Sequence, residues 1–159
     1  MRGAIRFVLT IMLVSIVVPC SAQDSKIKEK NYPISIKWSV APSEPVAPWD
    51  VPVILYKKTS PTIQHVTSVT IIEKLIFTDS YGKLQEGTAT NPNIAVPGMS
   101  GSIENNSVPK SVTQLHWRIS QLYGKGIVRR ALFDPSKNPD DSSAQLSNWL
   151  ELPVIVEKP

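Results

Sequence analysis

The sequence predicts a mainly β fold: a single antiparallel β-sandwich or strongly bent sheet with one short peripheral helix. The 159 residues include 14 Pro against 7 Gly. Proline is barred from helix interiors and central strands, so this content argues for short strands joined by stiff connections and against a helical bundle. Ile34, Ile36, Trp38 and Val40 alternate with Ser35, Lys37 and Ser39, the period of a strand with one buried face. No segment between the candidate strands is long enough for a helical crossover, so the strands should pair antiparallel.

Residues 1–22 have the layout of a secretory signal peptide. Arg2 and Arg6 give a positive start, Phe7 to Val18 is apolar, Pro19 breaks the run, and Cys20-Ser21-Ala22 places small residues before a cut at Ala22–Gln23. The apolar run falls short of the ~20 residues that a helix needs to cross a bilayer. Lipidation at Cys20 is the alternative, and it would tie the chain to the envelope; Pro19, however, stands where lipoprotein signals carry a small residue. Cys20 is the one cysteine, so cleavage leaves a thiol-free domain, which suits a bacterial periplasm better than a disulfide-dependent exterior. Cleavage would also remove Arg2 and Arg6 from the net charge of +4. With no basic run interleaved by aromatics, nucleic acid is not expected as a partner.

Residues 23–31 read as a flexible polar arm, and 32–159 as a single β-rich domain. After the strand at Ile34 comes a stretch with Pro42, Pro45, Pro48 and Pro52, which should run extended over the surface. Val53 to Tyr56 is a short strand. Val66 to Phe77 is the richest β stretch, and its alternation slips near Glu73-Lys74, predicting a bulge or turn there. Residues 78–110, rich in Gly, Asn, Ser and Pro, are expected to be weakly structured and either functional or mobile. Val112 to Phe133 reads as a β-hairpin turning at Tyr123 to Gly126, with Leu115, Trp117 and Ile119 on one face. Asp140 to Ser143 should cap a short helix through Leu150, and Pro153 to Val156 should form a last strand at a sheet edge.

The residues announce no catalytic motif, and the expectation is a protein without enzymatic activity or cofactor. Two His and one Cys make a zinc site from those residues alone implausible. His116 lies opposite Leu115, Trp117 and Ile119 and reads as a surface or cross-strand histidine, as does His65 in its loop. Asp134, Asp140 and Asp141 lack the Gly and distal Glu of a calcium loop. Asn105-Asn106-Ser107 is a glycosylation triplet without meaning in a bacterial protein. Trp38 and Trp117 are assigned to the core. Trp49, beside Asp50 at the end of the Pro-rich stretch, is either interface or core. Arg129-Arg130 either grip an anionic partner or are charges on an exposed strand edge.

Val108 to Ser136 (VPKSVTQLHWRISQLYGKGIVRRALFDPS) carries Pro109, Trp117, Tyr123 and Pro135. This pattern, a Pro-initiated strand with a Trp and a Tyr-containing return strand ending near a Pro, resembles small exported bacterial proteins, often lipoproteins. Several of these neutralise effectors of the type VI secretion system. The resemblance covers about a fifth of the chain. It implies a periplasmic immunity protein that occludes an effector toxin and performs no chemistry. The expected function is therefore protein binding outside the cytosol, with membrane contact only through a lipid on Cys20. The alternative is an envelope-associated structural or accessory protein of a secretion or surface assembly. The candidate partner-contacting residues are Trp49, Asp50, Tyr81, Arg129 and Arg130.

Overall fold

The computed structural model describes residues 30–104 and 110–159. The expected signal segment with Cys20, nearly all of the 23–31 arm and the Asn105 triplet lie outside the described residues. Residues Asn31–Pro159 form one unit. Its strands are β1 (Ile34–Trp38), β2 (Ile54–Lys58), β3 (Ser68–Asp79), β4 (Leu84–Ala95), β5 (Ser100–Ile103), β6 (Gly124–Phe133) and β7 (Leu150–Val156). One α-helix, α1 (Lys110–Ser120), stands between β5 and β6, and a short 3-10 turn spans Pro61–Ile63. The strands make two antiparallel sheets, ordered β1-β2-β5 and β4-β3-β6-β7. The mainly β fold with one helix is the one expected.

The inner face of the larger sheet is covered by two different layers. Val69 and Ile71 of β3 and Leu132 of β6 pack with Ile34, Ile36, Ile54, Tyr56 and Ile103 of the smaller sheet, closing a sandwich. Farther along the same face, Leu75 and Phe77 of β3 and Val128 of β6 pack under Val112, Leu115 and Ile119 of α1. On the outer face, Ile72, Ala131, Phe133 and Ala144 form a smaller cluster with Trp149 against it. β3 is thus central and covered on both sides near its start, which is why its sequence does not alternate cleanly.

Several local expectations are corrected. The bulge lies between Val69 and Ile71, not at Glu73-Lys74: Val69 pairs with Ile94 and Ile71 with Asn91, so Pro92 and Asn93 face Thr70 alone. Asn93 takes a positive φ of 61° there. A proline without an N–H is tolerated because β4 is an edge strand and the bulge interrupts the ladder. Residues 78–110 contain two strands, β4 and β5, where a weakly structured stretch was expected.

The expected hairpin from Val112 is a helix followed by one strand. Val112, Leu115, His116 and Ile119 are buried, and the spacing i, i+3, i+4, i+7 is that of a helix with one apolar stripe. The expected helix after Asp140 is a set of turns. Asp141 Oδ1 does accept from Ser143 N–H at 2.8 Å, but Leu146 N–H then donates to Leu132 O at 2.8 Å and Ile34 N–H to Leu146 O at 2.9 Å. Those long-range bonds take the backbone groups that a helix would use. The last strand begins at Leu150 and lies at the sheet edge. Between α1 and β6 the chain reverses through Tyr123 (φ 42°) and Gly124 (φ 142°). A Cβ at Gly124 would run into the Thr78 carbonyl oxygen, so the close approach to β3 requires glycine.

Candidate functional site

The most concentrated chemistry lies where the two covering layers meet. Glu73 of β3 and Arg130 of β6 are paired in register, and His116 of α1 comes down onto them. His116 Nε2 is 2.9 Å from Glu73 Oε1. Arg130 Nε donates to Glu73 Oε2 at 2.6 Å, and Arg130 Nη2 is also 2.6 Å from that oxygen. Glu73 is 2% exposed and Arg130 4%. Burial by itself raises the Glu73 pKa; the His116 hydrogen bond and the Arg130 and His116 charges outweigh it and hold the carboxyl below its ordinary value. Glu73 is therefore ionised near neutrality and accepts both bonds, so that His116 Nε2–H is the donor of its bond.

Both carboxylate oxygens are occupied and the group is shielded from water. An arrangement of this kind holds a helix to a sheet; a carboxylate acting as a base needs an oxygen open to substrate. Among the described residues no group of three or more His, Cys, Asp or Glu converges as a metal site.

The expected partner-contacting residues separate. Arg130, expected at an accessible edge, is buried in the ion cluster, because its position on β6 points to the inner face. Arg129, one residue away, points to the outer face. Its Nε lies 2.8 Å from Glu151 Oε1, at an angle that makes no hydrogen bond, and its guanidinium lies 5.2 Å from the Trp149 ring centre. His116, expected as a surface or cross-strand histidine, is buried and stands on the helix α1 instead of a strand. Trp117, expected in the core, is 65% exposed; the helical period turns residue 117 outward while 115, 116 and 119 turn in. Trp38 is half-buried, packs against both main clusters and donates Nε1–H to Glu151 O at 3.0 Å.

Trp49, Asp50 and Tyr81 remain on the surface. Asp50 N–H donates to Ala47 O at 2.9 Å, closing a turn that presents Trp49. Trp49 is 42% exposed and lines a cleft of about 560 Å³ with Pro45, Ala47, Tyr123, Ile155 and Pro159. Tyr81 is 91% exposed at the β3–β4 turn. That turn is tied by Asp79, whose Oδ1 accepts from the Tyr81 and Lys83 N–H groups, both at 2.9 Å. Ser80 N–H donates to Leu122 O at 3.3 Å, which seats the Tyr81 turn beside the chain leading to Tyr123. Trp49 and Tyr81 therefore stand at the same end of the larger sheet. Asp50 is exposed but does not line the cleft.

Glu73 was missed at the sequence level. The signal was present as a lone acid within VTIIEKLIF, a run whose neighbours are core residues. Comparison with protein-family models, with curated proteins and with solved structures finds no match for this chain.

Proposed function

We propose that the chain is an exported protein that works by binding another protein, in the manner of an immunity protein occluding a secreted effector. The observation that carries this is the pair of aromatic side chains at one end of the larger sheet, Trp49 on the rim of its cleft and Tyr81 almost fully exposed. Both sit on turns fixed by backbone hydrogen bonds, so little conformational freedom is lost when a partner covers them. Aromatics presented in this way dominate the binding energy of protein interfaces. The apolar start of the chain supports export; the resemblance over Val108 to Ser136 suggests an effector as partner through its residues alone, because Trp117 stands on the helix α1 and not on a strand.

The test is affinity capture by the processed chain from periplasm, run beside Trp49→Ala and Tyr81→Ala variants. The expected result is a stoichiometric protein retained by the parent chain and lost from both variants, toxic when produced alone and harmless when the parent chain is co-produced. A partner held equally by all three chains would overturn the assignment of this surface. A partner without toxicity would overturn the immunity role.

A further inference from the structure

The cleft beside Trp49 has a chemistry of its own, set by how three segments meet at the end of β7. Val46 N–H donates to Pro153 O at 3.3 Å and Ile155 N–H to Val46 O at 2.9 Å, so the Pro-rich stretch runs along the edge of β7 away from β6 and carries Trp49 to one wall. On the other side of β7, the last rung of its ladder with β6 joins Gly124 to Val156. Tyr123 and Glu157 each follow that rung, one on either chain, and both line the cleft. Tyr123 holds a left-handed conformation there (φ 42°), uncommon for a residue with a Cβ, and the tight turn into Gly124 fixes the backbone from which its ring projects.

The charge in the cleft has one sign. Among the described residues that line it, Glu157 has the one charged side chain. Glu157 is exposed and takes part in none of the ion pairs found among the described residues. Lys158, next in the chain, and Lys125, paired with Ile155 across the ladder, lie outside the lining. Glu44 and Asp50, next to the lining residues Pro45 and Trp49, are exposed acids that enter none of those ion pairs either. Ser120, also in the lining, donates its hydroxyl proton to Trp117 O at 2.6 Å, which leaves its oxygen as an acceptor. Two aromatic rings, a carboxylate and a hydroxyl acceptor, with no cation in the lining, make a site for a positive group that carries N–H donors.

We infer that the cleft receives an arginine side chain from an exposed segment of the protein partner. This rests on the reading of Trp49 as part of a partner-binding surface. The guanidinium lies against an aromatic wall while its N–H groups meet Glu157 and Ser120, and its aliphatic stem lies along Ala47 and Ile155. Arginine suits the cleft better than lysine, because its planar and weakly hydrated fork stacks and pairs at the same time. A quaternary ammonium could lie on the rings, but it has no N–H for the two acceptors.

The probe is N-acetylarginine amide, titrated into the processed chain and followed by nuclear magnetic resonance on the Trp49 indole N–H and the Tyr123 backbone amide. The expected result is saturable binding in the millimolar range, weakened about ten-fold in Glu157→Gln, lost in Trp49→Ala and unchanged in Glu86→Gln. Glu86→Gln removes the same charge from an exposed position on β4 outside the cleft. Circular dichroism verifies the fold of each variant. N-acetylcitrulline amide keeps the shape without the charge and should not bind, and N-acetyllysine amide should bind more weakly. No saturable shift, equal binding by the parent and Glu157→Gln, a citrulline or lysine amide bound as tightly, or choline bound more tightly would overturn the inference. The site and the proposed function can fail separately. A toxin captured equally by the parent and Glu157→Gln, and not displaced by the arginine amide, overturns the arginine contact and leaves the binding function standing. Arginine amide bound as expected, with no protein captured from periplasm, overturns the binding function and the protein source of the cation, while the cation site itself stands.

Discussion

Glu73 and Arg130 face each other across the β3–β6 ladder with Ile71 and Leu75 flanking one and Val128 and Leu132 flanking the other on the same face. An ion pair therefore marks the line where the sandwich core ends and the helix-covered core begins. Placing charges there costs desolvation energy on both groups, and that cost is offset only while both carboxylate oxygens keep their partners.

Replacing one member should expose the cost. Glu73→Gln removes the charge that Arg130 and His116 both meet in the buried cluster, and a loss of about 3–5 kcal/mol is expected. The combined Glu73→Leu, Arg130→Met, His116→Leu variant removes every buried charge of the cluster and should recover most of that loss. Urea unfolding midpoints of the three chains decide it. A Glu73→Gln midpoint equal to that of the parent would show that the cluster is not under this constraint.

Stability should also depend on acidity in a stated direction. The Glu73 carboxyl lies below its ordinary value of 4.5 when folded, because the bonds from His116 and Arg130 outweigh the opposing effect of burial. Between the folded and unfolded values the unfolded chain binds more protons, so stability rises with pH through that window. The contribution is complete above the unfolded value and is lost as pH falls through the folded one. Asp79, Asp134 and Asp141 are lowered as well and act in the same sense. Burial raises Asp79, but the Lys83 N–H, Gln85 side-chain and Tyr81 N–H bonds overcome it. For Asp134 the Ser136 hydroxyl bond leads, and for Asp141 the Ser143 N–H bond. Urea midpoints measured from about pH 3 to pH 6 should fall toward acid, and less steeply in Glu73→Gln than in the parent. Parallel curves would remove Glu73 from the explanation.

Two tryptophans that look alike in sequence should respond differently. Trp38→Ala removes an indole that packs against both main clusters and a bond to Glu151 O, and a loss of about 3 kcal/mol is expected. Trp117→Ala removes an exposed side chain and should change stability by no more than about 0.5 kcal/mol. Thermal or urea unfolding of the pair checks the contrast, and equal losses would place Trp117 against structure it does not touch here.

The contrast between these residues also shows what the sequence could reveal. β1 was legible because Ile34 and Ile36 face one layer only, so its alternation is clean. β3 was legible as β-rich but not in its register, because Ile72 is buried on the outer face while Ile71 is buried on the inner one. The Leu115-Trp117-Ile119 alternation and the Val112-Leu115-His116-Ile119 helical stripe coexist in the same eleven residues. Only the packing of α1 over β3 and β6 decides between them. Trp49 stayed open between interface and core in the sequence, because the prolines around it fix the path of the chain and not what the indole lies against. The Glu73–His116–Arg130 cluster was not, because its members are joined by sheet register and helix placement rather than by spacing along the chain.

β3 runs past the charged seam without a break, giving Val69 and Ile71 to one apolar body and Leu75 and Phe77 to the other. The domain therefore has no scissile midpoint. A protease cut inside β3 would orphan both bodies at once, and neither can be excised as an autonomous fragment. Mechanical or chemical stress should accordingly melt the two together, in a single cooperative step.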